Sequence, residues 1–471
     1  MKGRGHRQTT TGTSRRGMAH RTVHEWKKLP IGKGDGGFTR AQANSLLAAA
    51  RSHAKGGAEG QNILVEQNRH LHARQAVGIL AGQGCSLEIL PKIEPADGES
   101  DASVRARLVH MLDVALDLDI SHGEAAAIAR QDHTLLDILV RIFADRLLAE
   151  ARRGLPRRYN PREDDLPALR GRLDVARQFT INAVRPDRLS CRYDSLEADT
   201  PLMRVMKACT IMLHRHARHY ETQRRLAELR FLMADVPDVQ PLRLRWDRVV
   251  IDRSNRRWRS LFAMARLFLK REWQATHHQA AGSDGITLLF PMNDLFEAYV
   301  AAGLRKQLRE PGIEVVAQGG LEYCLGHWRE GEHCHPSLFQ TRPDIILRDR
   351  STGRARVIID TKWKKLASDP FDRKRGVKQS DVYQLMAYAR LYRCDRLMLL
   401  YPSVPGADQQ SRHDFGLARG RERLAVSTVD ISEPKRFAQQ LAAIIAAELS
   451  GGDTVDRSDL DVNRIQGVST A

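Results

Sequence analysis

The sequence predicts a multidomain α+β protein, with a β-rich N-terminal domain, a helical middle domain and a C-terminal α/β domain. Three observations carry this reading. The chain has 471 residues, and at roughly 150 residues per domain that length suggests two to four domains. A hydrophobic content of 42% is that of a folded chain and not of a solvated tail. The hydrophobic pattern also changes character after Gly98 and again near Gly285.

The elements follow in order. Residues 1–20 contain Lys2, Arg4, Arg7, Arg15 and Arg16 and no acid, which predicts a disordered basic extension. Residues 21–98 hold strand-length apolar runs at Ile63 to Val65, Val77 to Leu80 and Leu87 to Leu90, the last ended by Pro91. An Ala-rich helix from Ala41 to Ala50 interrupts them. Residues 99–284 form the helical connecting domain. There Val104, Leu108, Met111 and Leu112, then Leu135, Leu139, Ile142, Phe143 and Leu147, recur at helical spacing. Helices continue through Arg204 to Met233 and Trp258 to Trp273, up to a turn at Gly282 to Gly285. Residues 285–450 mix both periods: a helix over Pro291 to Leu308, strands at Asp344 to Leu347 and Arg356 to Ile359, a helix over Asp381 to Tyr392 and a strand at Arg396 to Tyr401. Residues 451–471 are expected to be a flexible tail.

Charge and cysteine usage narrow the function. Lys and Arg number 75 against 57 Asp and Glu, a net charge of +18, which points to a polyanionic partner. No uninterrupted apolar run approaches the roughly 18 residues of a membrane-spanning helix. The six cysteines show no CxxC spacing and are too sparse for a disulfide scaffold, so a soluble chain in a reducing cytoplasm is expected.

The chemistry lies in the last domain. A hairpin centred on Thr352 pairs residues whose numbers sum to 704, so Ile345 faces Ile359 and Asp344 faces Asp360. Two opposed carboxylates repel, and a divalent cation between them removes the conflict. Lys362 projects to the same side as Asp360, because strand side chains alternate. Arg342-Pro343-Asp344 followed by Asp360-Thr361-Lys362 is therefore the Pro-Asp, Asp/Glu-x-Lys arrangement of a metal-dependent phosphodiesterase. Hard carboxylate oxygens suit Mg²⁺, and Lys362 would orient the attacking water or screen developing charge. Glu297, beside the apolar stripe of the entering helix, is a candidate third metal ligand or an ordinary solvated helix residue. Gln384 and Tyr388 lie four apart on one helix face, where they would hold a DNA backbone or the attacking water, or simply form a polar edge.

Other groupings are weaker. Cys324, His327, His333, Cys334 and His335 match no structural-zinc spacing. The run His214 to His219 reads as a solvated helix face, with phosphate contact as its functional alternative. Gly32 to Gly37 lacks the GxxxxGK[ST] order of a nucleotide-phosphate loop, so no NTPase is expected in this chain.

Seven stretches together resemble the McrC family, the nuclease subunits of McrBC modification-dependent restriction systems. They are Leu87 to Ile93, Leu169 to Asp174, Asp199 to Leu202, Met292 to Glu297, Arg342 to Asp344, Ile359 to Trp363 and Asp381 to Tyr388. The resemblance runs from about Thr22 to about Leu449. It implies a C-terminal PD-(D/E)xK restriction-endonuclease-like domain in which Asp344, Asp360 and Lys362 are the catalytic motif. Glu297 would then be an accessory metal position, and Gln384 and Tyr388 accessory catalytic positions. It also implies a partner, an McrB-like AAA+ GTPase that binds the GTP itself, reads 5-methylcytosine in double-stranded DNA and is stimulated by docking of the N-terminal region, residues 21–98. The rival readings are a non-cleaving adaptor that activates an AAA+ motor and a stand-alone RecB-like nuclease.

Overall fold

A computed structural model describes residues 19–450, apart from 33–35, 58–59, 93–99, 121–127, 129–132, 271–284, 329, 331–336, 367–371, 404–410 and 419. Residues 1–18 and the expected tail, 451–471, lie outside the described residues, as do Lys33 to Asp35 of the glycine-rich run, His333, Cys334 and His335. The expected extension is shorter than 20 residues, because β1 (Ala19–His24) already pairs in parallel with the strand Cys85–Leu90.

The chain divides into two compact units and not three consecutive domains: residues 1–90 with 117–290, and residues 91–116 with 291–471. In the first unit β2 (Lys28–Pro30) precedes α1 (Arg40–Ser52), which starts at a capping box formed by Thr39 and Gln42. Next come β3 (Leu64–Gln67), β4 (His70–Ala73), β5 (Ala76–Gly82) and β6 (Cys85–Leu90). A two-residue loop joins β5 to β6, with Gly84 at φ +63°, so the strands pair directly at Gly82 and Cys85. The helix read at 104–115 is α2 (Asp101–Leu116), and it belongs to the second unit.

Back in the first unit, α3 (Leu135–Arg152) buries an apolar stripe that includes Leu139, Ile142, Phe143 and Leu147. Its first turn explains a fully buried acid: Glu88 on β6 accepts the Leu135 N–H at 2.8 Å and the Thr22 hydroxyl at 2.8 Å. A stretch expected to be helical is instead a ribbon. β7 (Arg158–Leu166) pairs antiparallel with β9 (Leu189–Glu197), and β8 (Arg172–Leu173) with α4 (Val175–Thr180) fills the connection. β7 reads RYNPREDDL, with no apolar alternation, and is held by partners more than twenty residues away in sequence. The long helix expected over 204–233 is two helices, α5 (Pro201–His216) and α6 (Tyr220–Leu232), because Ala217 turns to extended backbone. α7 (Arg259–Leu269) and β10 (Leu288–Pro291) complete the unit, with a sheet ordered β1-β6-β5-β10. Gly78 of β5 sits at φ +123°, and a Cβ there would lie 2.0 Å from the Leu288 carbonyl oxygen.

The second unit has one six-stranded mixed sheet. Its strands are β11 (Ile313–Ala317), β14 (Ile345–Asp349), β15 (Ala355–Thr361), β16 (Arg396–Ser403), β17 (Arg412–Gly416) and β18 (Arg423–Asp430), in the order β11-β14-β15-β16-β18-β17. β12 (Glu322–Leu325) and β13 (Leu338–Thr341) form a separate hairpin. On one face α9 (Gln379–Tyr392) packs Leu385, Tyr388 and Ala389 with Ile346, Ile358 and Leu399 of the sheet. α8 (Met292–Gln307) is fixed by Tyr299, whose ring stacks on Phe437 of α10 (Pro434–Ser450) at 4.1 Å and meets His110 of α2 edge-on at 5.9 Å. Among the described residues no helix is long and apolar enough to cross a membrane.

Replacing Gly78 by Ala forces a positive φ on a β-carbon residue, costing about 1–3 kcal/mol, before the contact with Leu288 is counted. The expected outcome is a lowered urea midpoint, and a variant as stable as the parent would contradict the close β5–β10 pairing.

Candidate functional site

The hairpin of β14 and β15 positions the acidic cluster. Its register pairs Ile345 with Ile359, Ile346 with Ile358 and Leu347 with Val357, as the 704 sum predicts, and then slips by one residue at Arg348, where a bulge takes up the turn. Five of the seven β15 residues, Val357 to Thr361, are buried in succession, as befits a strand paired on both sides. Parallel pairing of Asp360 with Leu399, and the Lys362 N–H bound to the Leu400 carbonyl at 3.0 Å, carry the backbone straight through the motif.

Asp344 lies just before β14, and its backbone carbonyl accepts the Gln318 N–H at 2.9 Å. Its Oδ2 accepts the Thr361 N–H at 2.8 Å and the Thr361 hydroxyl at 2.9 Å. The Asp344 carboxylate is thus anchored by the middle residue of Asp360-Thr361-Lys362. Asp360 is 1% exposed, and its Oδ2 stands 2.7 Å from Lys362 Nζ. Apart from that ion pair, neither Asp360 oxygen has a hydrogen-bond partner among the described residues.

These placements shift protonation in a consistent pattern. Burial and then the neighbouring Asp344 push the Asp360 carboxyl up to about 6, against the opposing pull of Lys362. Asp344 is also raised, chiefly by burial, with the two Thr361 bonds working the other way. Glu297, one turn into α8, is raised to about 7 by burial and then by Asp344, and its Oε1 is buried with no hydrogen-bond partner. Burial acts against charge on Lys362, but Asp360, Asp344 and Asp381 outweigh it and raise the ammonium above its ordinary value. Asp344 is the centre of the cluster, since it perturbs both Glu297 and Asp360.

The helical pair is present as expected. Gln384 Nε2 donates to the Tyr388 hydroxyl at 2.9 Å, and that hydroxyl donates to the Arg342 carbonyl at 3.3 Å. Tyr388 is buried, and its pKa is raised by burial and, further down, by Asp360 and Asp344. Sequence reasoning missed three supports. Thr361 anchors Asp344, Gln318 bonds to Glu297 and also accepts from Arg342, and Lys364 pairs with Asp381 at 2.6 Å over the Tyr401 ring. Only the Lys364-Asp381 charges left a signal in the sequence; the other two bonds depend on tertiary placement.

The donor set fits a hard cation. Two buried carboxylate oxygens, Asp360 Oδ1 and Glu297 Oε1, have no hydrogen-bond partner among the described residues, and Asp360 Oδ2 has only the Lys362 ammonium; such groups are costly unless a cation or proton satisfies them. Among the described residues no three His, Cys, Asp or Glu side chains form a ready-made cage. Mg²⁺ needs none, because it ordinarily takes one or two carboxylates and keeps waters and substrate phosphates as its other ligands. Elsewhere, His219 stacks on His133 at 3.7 Å and stands 3.6 Å from Asp137, so that end of the histidine run is tied into its own unit.

A family model described as the McrBC 5-methylcytosine restriction system component matches residues 71–402. The chain belongs to that family. The Type IV methyl-directed restriction enzyme EcoKMcrBC of Escherichia coli (strain K12) is 30% identical over 112 residues, 24% of this chain and 32% of that protein. The match therefore spans about a third of the curated relative's length. Two solved structures from Thermococcus gammatolerans share the fold of this McrBC-family chain. A half-complex from a tetradecameric assembly of McrB AAA+ hexamers with bound McrC has a TM-score of 0.68 at 19% identity, covering 90% of this chain and 100% of that one. The McrBC complex has a TM-score of 0.51 at 21% identity, covering 62% and 89%.

Because Asp360 binds its proton more tightly folded than unfolded, the metal-free chain loses this group's contribution to stability as pH rises from about 4 through about 6. Asp360→Asn should match the parent near pH 4 and exceed it at pH 8, by on the order of 2–3 kcal/mol, in urea denaturation without divalent ions. A pH-independent difference between the two would contradict a carboxyl raised by burial and by Asp344.

Proposed function

We propose that this chain is the Mg²⁺-dependent DNA endonuclease subunit of a 5-methylcytosine-directed restriction system, cutting phosphodiesters when assembled with an McrB-like AAA+ GTPase. The observation that carries the reading is the juxtaposition of Asp344, Asp360 and Lys362 at one end of the β14–β15 hairpin, with Asp360 buried and short of hydrogen-bond donors. In sequence terms this is the PD-(D/E)xK arrangement. Family membership and the likeness to chains solved with McrB hexamers support the partner. The net charge of +18 supports DNA as the substrate.

Asp344 and Asp360 would hold the ion, with Glu297 on α8 reaching it directly or through a water. A bound Mg²⁺ would supply Lewis-acid relief of charge on the scissile phosphate and a lowered pKa for water. Lys362 stays protonated beside Asp360, so its ammonium is positioned to donate to the phosphate oxygens or the attacking water as negative charge builds. Thr361 keeps Asp344 in one orientation through two hydrogen bonds, which limits the rearrangement needed at the moment of reaction. Tyr388, which feels the charge of Asp360 and Asp344, and Gln384, which donates to its hydroxyl, would position the DNA strand. GTP belongs to the partner, which leaves this chain the cutting and, through residues 21–98, the stimulation of hydrolysis.

The test is reconstitution with the cognate GTPase on methylated duplex DNA. Asp360→Ala and Lys362→Ala are each expected to lower the Mg²⁺-dependent cleavage rate by about 100-fold or more, as loss of a principal electrostatic group does, while assembly and GTPase stimulation stay at the parent level. Cleavage by Asp360→Ala at the parent rate would overturn the proposal.

A further inference from the structure

The cavity at the root of the β7–β9 ribbon has about 200 Å³ and is lined by Arg157, Arg158, Arg248 and Arg257. These arginines come from two separate chain segments, and the start of α5, at Thr200 and Pro201, closes a third side. No Asp or Glu lines the cavity among the described residues, whereas two larger cavities of the second unit are lined in part by Glu310 and Glu314 and by Glu322. Two of the arginines are partly engaged: Arg158 lies 3.7 Å from Asp252, and Arg257 lies 3.0 Å from Glu150. Arg157 and Arg248 form no ion pair within 4 Å among the described residues; the acid next to Arg248, Asp247, is held by Arg245 at 3.0 Å and feels Arg248 only as a weaker, longer-range charge.

Four guanidinium groups crowded around one opening repel one another. An anion with several acceptor oxygens relieves that repulsion and is matched by the fork geometry of Arg. α5 adds to the same preference, since it spans sixteen residues and turns its positive end towards the cavity. The four arginines are exposed, which suits a phosphate carried on a chain better than a small enclosed anion.

We propose that this cavity is a second nucleic-acid contact, a seat for backbone phosphate of duplex DNA on the first unit, separate from the acidic site of the second. The assignment rests on the reading of this protein as a DNA-acting enzyme. Its role is sequence-independent grip: Arg157 and Arg248 supply the unpaired charge, and Arg158 and Arg257 frame the seat.

The test measures binding of the full-length chain to unmodified duplex DNA without divalent ions, across a salt series, for the parent and Arg157→Ala/Arg248→Ala. Each phosphate contact contributes about 0.9 to the slope of log K against log salt, so the double variant is expected to lose about 1.8. A parent slope retained by the double variant overturns the seat. A parent that shows no salt-dependent DNA binding overturns the DNA reading itself. If inorganic phosphate raises the melting temperature of the parent but not of the double variant, and the DNA slopes coincide, the seat takes a free phosphate and the backbone assignment falls.

Discussion

The second unit is organised around an electrostatic conflict, in which Asp344 and Asp360 are held near one another at the end of a paired hairpin, with Glu297 approaching from α8. Burial raises all three carboxyls, and Asp344 raises both of its neighbours further. Left alone, such a cluster would take up protons or spread apart. The surrounding structure prevents spreading: β15 is paired on both sides, Thr361 grips Asp344, and the backbone of Lys362 is bound to β16. Lys362 compensates part of the charge, and in the proposed function a divalent cation would take up the rest.

The scaffold explains how that conflict is tolerated. α8 is fixed just past Glu297, where Tyr299 is packed between Phe437 and His110, and further on at Gly303, which admits Leu441 and Phe437 so closely that a Cβ would fall 2.6 Å from Leu441. Phe296 meets Trp363, just past the lysine of the motif, with ring centroids 5.5 Å apart. Stability is thus concentrated on the residues flanking the acids, while the acids themselves remain under-satisfied, as expected where packing energy is used to hold reactive groups in place.

The site was more legible in the sequence than the domain layout. Ile345-Ile346-Leu347 and Val357-Ile358-Ile359 are short apolar runs around a Ser-Thr-Gly turn, a local pattern that sets the pairing to within the one-residue bulge at Arg348. Helix boundaries at 292–307 and 379–392 likewise follow from local periodicity. The β7–β9 ribbon did not announce itself, because Arg158 to Leu166 is polar throughout and its strand character comes from distant pairing with Leu189 to Glu197. The return of α2 to the second unit was equally hidden, since its apolar stripe specifies burial but not against what. Gln318 sits at φ +50°, and neither that conformation nor its bond to Glu297 can be read from a single glutamine.

If the proposed Mg²⁺ binds this buried carboxyl cluster, it should displace protons from it, and this exchange separates a metal site from a structural acid cluster. Titration calorimetry of Mg²⁺ into the full-length chain, in buffers of different ionisation enthalpy, counts the protons released. Release of about half a proton from Asp360 near pH 6, growing as pH falls towards 5 and vanishing above pH 8, with that share lost in Asp360→Asn, is the expected result, given a carboxyl raised to about 6 at Asp360; Glu297, raised to about 7, adds its own share in both proteins. Mg²⁺ binding with no proton release at any pH, or equal binding by Asp360→Asn, would contradict it.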